Sequence, residues 1–160
     1  MLSEGGTAYQ ETFVQRDQHR IYVRDHPGAE PAIILMHGFP DNVHLYDRLL
    51  PHLSPPRRVV LFDFLGWGSS DKPSGYPYTT DNQVGDLDAV ITQLGLGQVV
   101  LVAHDVLVDA ASGVGARELT RQVKQSRGDA RVVLLVSREL GEAERQQLVA
   151  HTGCDAALAR

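Results

Sequence analysis

The stretch Pro31-Ala32-Ile33-Ile34-Leu35-Met36-His37-Gly38-Phe39-Pro40 runs from unbroken apolarity straight into a glycine-containing turn. Continuous rather than alternating apolarity suits a strand covered on both faces, as in a parallel sheet. The pattern recurs at Val59 to Phe62, followed by Asp63, and at Val99 to Ala103, followed by His104-Asp105. Arg131 to Val136 is a fourth such run, and Asp155 to Ala159 a weak fifth. Helical patterns lie between them. Asp41 or Asn42 caps a helix to about Leu53, with Leu45, Leu49 and Leu53 at i+4 spacing. Thr80-Asp81-Asn82-Gln83 is a capping-box pattern ahead of Val84, Leu87, Val90, Ile91 and Leu94, and Gly95 and Gly97 end that helix. Ser112 opens a helix through Leu119 and Val123, and Glu139 to Ala150 reads as another. Upstream, Phe13–Val14 and Ile21–Val23 flank Arg16-Asp17-Gln18-His19 as a β-hairpin.

Strands alternating with helices define the class as α/β: a three-layer, mostly parallel sheet of about five strands with helices on both faces, the hairpin extending one edge. The chain of 160 residues is expected to form one domain, with residues 1–10 disordered. The net charge of −5 and the dispersed 15 Lys and Arg residues argue against nucleic acid as a partner. No apolar run is long enough to cross a bilayer, so no membrane partner is expected. The first dozen residues lack the pattern of a signal peptide. A single cysteine, Cys154, fits a reducing compartment and reads as a small packed side chain. A cytoplasmic location, no cofactor and no metal are expected.

Ligands in parallel α/β sheets gather at the carboxyl ends of the strands. Three loops meet there. In His37-Gly38-Phe39-Pro40, glycine permits a sharp turn whose backbone N–H can face a developing oxyanion. Asp63-Phe64-Leu65-Gly66-Trp67-Gly68-Ser69-Ser70-Asp71-Lys72-Pro73 lacks the third glycine of a dinucleotide loop, and no helix follows it directly. Asp105, just past a buried strand and preceded by His104, is a carboxylate suited to nucleophilic attack on carbon. Its other reading is a helix or turn cap.

Taken together, these loops make the run from about Phe13 to Asp105 resemble the α/β-hydrolases, most closely the epoxide hydrolase and haloalkane dehalogenase branch. The resemblance implies Asp105 as nucleophile and the Phe39 and Val106 backbone N–H groups as oxyanion donors. His37, Gly38, Pro40, Asp63, Gly66, Gly68, Ser70 and His104 support the motifs. Phe39 fits the epoxide hydrolases better than the dehalogenases. The implied substrate is a small apolar epoxide or ester.

Beyond Asp105 the pattern departs from the family. Leu107 stands where the family has a small glycine at a strained turn. Only 55 residues follow Asp105; the resemblance implies a late histidine base, for which His151, the one histidine among them, is the candidate, its other reading being a surface residue near a helix C-terminus. Asp129, Glu139 and Asp155 are possible acids, with nothing to single one out. Lacking a general base costs roughly 10²–10⁴ in rate. Weak activity or none is therefore expected.

Residues 105–160 also faintly resemble the back half of a response-regulator receiver, with Asp109 at the phosphoacceptor position and Ser137 at the hydroxyl position. The matching acidic pair and late lysine are absent. One family before Asp105 and another after it implies an engineered chimera, a recombined gene or a truncated hydrolase. Two other readings stand beside the hydrolase: a non-catalytic α/β scaffold and a receiver-like signalling module. An exposed sheet edge would favour a homodimer.

Overall fold

The computed structural model describes residues 8–38, 40–53, 57–104, 120–125, 131–136, 143, 146, 149–150 and 156–159. Among these residues seven strands form one sheet: β1 (Gln10–Arg16), β2 (His19–His26), β3 (Ala29–Met36), β4 (Arg57–Phe62), β5 (Val99–His104), β6 (Arg131–Val136) and β7 (Ala156–Ala159). Their order is β1-β2-β4-β3-β5-β6-β7. From β4 to β7 every pairing is parallel, and the β1–β2 hairpin adds to the β4 edge by antiparallel pairing. The five apolar runs are thus the five parallel strands, and the hairpin extends one edge as expected. Its two-residue turn forms without Asn-Gly because Asp17 adopts the left-handed conformation, with φ of 54°.

Alternation along each strand sorts the core into two layers. Ile34, Met36, Val60, Phe62, Leu101 and Ala103 face one side, where Leu87, Val90 and Ile91 of α1 (Thr80–Gln93) pack on them. Leu35, Val59 and Leu61 face the other, beneath Val43, Tyr46 and Leu50.

Two details differ from expectation. The segment after Asp41 is not an α-helix but two short 3₁₀ turns, Val43–Tyr46 and Leu50–His52. Pro51 contributes to the break: it has no N–H to donate to the carbonyl four residues back, so an α-helical ladder cannot run through it. The buried stripe shifts accordingly from the leucines at i+4 spacing to Val43, Tyr46 and Leu50, leaving Leu49 exposed. The cap of α1 is Thr79, one residue earlier than the sequence pattern suggests; its side chain accepts from the Asn82 N–H. At the other end Gly95, with φ of 61°, stops the helix as expected. Residues 120–125, 143, 146, 149 and 150 are helical, in line with the two later helices. Phe39, Asp105, Val106, Asp109, Ser137 and His151 lie outside the described residues.

Leu101 is fully buried at the centre of the sheet. Leu101→Ala is expected to lower unfolding free energy by about 2–5 kcal/mol. Urea denaturation followed by circular dichroism checks this.

Candidate functional site

Register sets the site. Met36 of β3 pairs with Phe62 of β4 on one side and with Ala103 of β5 on the other. These strands therefore end level, and their carboxyl ends deliver His37-Gly38, Asp63 and His104 to one edge of the sheet.

Asp63 is almost fully buried, and each carboxylate oxygen takes a backbone N–H. Oδ1 accepts from Val43 at 2.8 Å and Oδ2 from Ser69 at 2.8 Å. The first bond ties the end of β4 to the turn after β3. The second folds residues 63–70 back on themselves. Gly68 is required at the fold: its φ is +47°, and a Cβ there would lie 1.9 Å from Asp63 Oδ2. Gly66, with φ of +95°, leaves room for the Tyr78 ring, which a Cβ would meet at 2.3 Å.

Ser70 closes the loop. Its hydroxyl accepts from the Tyr22 N–H at 2.8 Å and donates to the Asp63 carbonyl. Asp71 continues along β2, exchanging backbone and side-chain bonds with Arg20. The glycine loop is thereby fastened to the hairpin.

His37 is buried against Phe64 and Trp67. Its Nδ1–H donates to the Gly38 carbonyl at 3.0 Å, and Nε2 accepts the Phe64 N–H at 3.4 Å. Burial pushes its pKa below the ordinary histidine value and outweighs the attraction of Asp63, 3.7 Å away. The ring is therefore neutral at neutral pH, as its acceptor role requires. Tyr46 adds a further tie, donating from its hydroxyl to the Met36 carbonyl at 2.8 Å.

The next N–H along, that of Leu65, donates to Asp86 Oδ2 at 3.1 Å. Sequence reasoning missed Asp86. The signal was present: an acid among the apolar positions of α1, directly before Leu87. The structure brings together His37, Gly38, Asp63, Gly66, Gly68 and Ser70 as one bonded unit. Pro40 lies exposed at the turn beside it, and His104 ends β5 level with His37. Among the described residues, no cluster of three or more His, Cys, Asp or Glu side chains is arranged to hold a metal ion. None of the described helices is long and apolar enough to cross a membrane.

Comparison with known proteins fits this geometry. Residues 31–106 match the family model for the alpha/beta hydrolase fold, and the chain has that fold. A fluoroacetate dehalogenase of a Burkholderia species is 38% identical over 82 residues, covering 49% of this chain and 27% of that protein. Epoxide hydrolase 2 of Siraitia grosvenorii is 40% identical over 80 residues, covering 49% of this chain and 25% of that protein. The crystal structure of an epoxide hydrolase from Vigna radiata superposes with a TM-score of 0.65 at 26% identity, over 89% of this chain and 46% of that one. The chain thus spans about a third or less of the curated relatives it matches.

Two predictions test the loop. Gly68→Ala is expected to destabilise by at least about 2 kcal/mol, because backbone strain and collision with Asp63 combine. Gly75→Ala, also at positive φ but with open space around it, is expected to cost only about 1 kcal/mol; denaturation midpoints separate the two. For His37, the depressed folded pKa means that the folded state takes up its proton less readily than the unfolded one. Its contribution is thus complete above the ordinary value of 6.5 and is lost as pH falls. The stability advantage of the wild type over His37→Gln is expected to shrink on acidification, as measured by denaturation at a series of pH values.

Proposed function

We propose that this protein is an α/β-hydrolase of the epoxide hydrolase type, with Asp105 as its nucleophile. The observation that carries the reading is the level ending of β3, β4 and β5, with Met36 paired to both Phe62 and Ala103. Asp105 is the residue next after His104, the last of β5. The bonded unit of His37, Asp63 and Ser70 supplies a rigid wall beside that strand end. Similarity to both an epoxide hydrolase and dehalogenases supports a carboxylate nucleophile, since attack on carbon serves both chemistries.

In the proposed reaction a carboxylate oxygen of Asp105 bonds to an epoxide carbon. The carbon–oxygen bond of the ring breaks, and the released alkoxide takes a proton from water. The product is a hydroxyalkyl ester on Asp105. Water then attacks the ester carbonyl, and the Phe39 and Val106 N–H groups receive the developing oxyanion; its collapse breaks the acyl carbon–oxygen bond, the proton given up by the water passes to the leaving alkoxide, and a diol and the free Asp105 carboxylate result. His151 is the candidate base for that step. An ordinary surface role near a helix end is its alternative, so the second step is expected to be slow, by roughly 10²–10⁴ relative to a chain with a placed base.

Intact mass spectrometry after incubation with a small aryl epoxide tests the proposal. A gain equal to the mass of the epoxide is expected, and its loss in Asp105→Ala. A folded protein that gains no mass overturns the nucleophile assignment and leaves a non-catalytic scaffold as the reading.

A further inference from the structure

Asp86 is a buried carboxylate that the proposed chemistry does not use. Its side chain is 1% exposed and sits beneath the loop that follows β4. Oδ2 accepts the Leu65 N–H at 3.1 Å. Oδ1 accepts from the Tyr76 hydroxyl at 3.3 Å and lies 3.4 Å from Arg16 Nε. One side chain thereby joins α1, the glycine loop, the segment leading into α1 and the end of β1. The contact with Arg16 is accommodated by Gly85, where a Cβ would come within 2.2 Å of the guanidinium.

We propose that Asp86 is a positioning residue for the Asp63–Ser70 loop, and that protonation of its carboxyl switches the loop between two hydrogen-bonding arrangements. In the charged arrangement the carboxylate faces three donors: the Leu65 N–H, the Tyr76 hydroxyl and Arg16. In the neutral arrangement the added proton lies on Oδ1 and is donated to the Tyr76 oxygen, whose own hydrogen turns away. Arg16 loses its counter-charge and turns to Asp17, already 3.4 Å from Nη1. Leu65 then donates to a neutral, weaker acceptor.

Among the described residues, the charged and titratable groups around Asp86 are few. Arg16 faces it from β1, with Asp17 behind. Tyr76 faces it from the segment before α1; burial first, and then Asp86, push that phenol up to about 12, so it stays protonated throughout. The glycine loop offers only a backbone N–H, and the neighbouring Gln83 on α1 is uncharged. Burial raises the Asp86 pKa to about 6, against the opposing pull of the Leu65 N–H, Arg16 and Tyr76. Both arrangements are therefore reachable under mild conditions. The sign for the whole chain follows from the raised value. The contribution of Asp86 to stability is full below the ordinary 3.8 and is lost as pH rises through about 6. The hydrogen bonds to the loop change in the opposite sense, strengthening as the group ionises.

The inference rests on the loop's geometry and not on chemistry at Asp105, so its test needs no turnover. Trp67 is the only tryptophan in the chain and lies in this loop, its ring 4.7 Å from that of Tyr78. Its emission is followed on the full chain from about pH 8 to about pH 4.5, with far-ultraviolet circular dichroism confirming the fold at each point. A sigmoidal change centred near pH 6 is expected in the wild type and in His37→Gln, and none in the double variant His37→Gln/Asp86→Asn, where neither group that accepts from the loop can titrate. Arg16→Gln is expected to move the midpoint up by about one unit, since an opposite charge no longer favours the carboxylate. A flat wild-type curve, a change that persists in the double variant, or one that disappears in His37→Gln overturns the proposal. If the double variant does not fold, Arg16→Gln decides: an upward shift supports the latch and an unmoved midpoint overturns it.

Discussion

Taking the Asp63 carboxylate out of water is unfavourable unless every lone pair that loses a water gains a donor. The donors it finds are the N–H groups of Val43 and Ser69, from two different segments. Satisfying one buried charge therefore fixes the end of β4 against both the turn after β3 and the glycine loop. That geometry explains the spacing of the loop's residues. Ser69 reaches back over Asp63 only if the chain reverses at Gly68, and the reversal leaves no volume for a side chain there. Ser70 follows because the carbonyl of Asp63 and the N–H of Tyr22 need a group that both donates and accepts, and a hydroxyl does both.

The sheet supplies what the loop cannot, a common level for the strand ends. Parallel pairing in register carries Met36, Phe62 and Ala103 to the same height. Residues distant in sequence thus become neighbours without any long-range side-chain contact. The hairpin has a second role beyond lengthening the sheet. Tyr22 and Arg20 of β2 provide the edge to which Ser70 and Asp71 bind. The loop is held by the sheet on one side and by α1 on the other.

Much of this was legible in the chain. Five apolar runs became five parallel strands because burial on both faces leaves a continuous signal, and α1 was legible from its stripe and its stop at Gly95. The 3₁₀ turns were not, because the leucine spacing at 45, 49 and 53 imitates a helix that Pro51 forbids. The motif residues from His37 to Ser70 were legible as a set, but their bonds were not. Val43 meets Asp63 across 20 positions and Tyr22 meets Ser70 across 48, and local patterns carry no trace of either pairing. Asp86 escaped for the same reason: its partners Arg16, Leu65 and Tyr76 come from three other segments.

Consecutive N–H groups of the loop, those of Phe64 and Leu65, donate to His37 and Asp86. His37 accepts only when neutral, and Asp86 accepts most strongly when charged. Acid therefore weakens both bonds, so the loop responds to falling pH in one direction. The global stability does not. Burial lowers the His37 pKa and raises that of Asp86. On acidification the first subtracts from folding free energy and the second adds to it. The two contributions oppose each other in any denaturation experiment, while their effects on the loop reinforce. The change in stability at one residue is thus offset in part at the other, while both changes loosen the wall of the candidate site. The local geometry at Phe64 and Leu65 therefore reports pH on this fold more directly than the unfolding midpoint does.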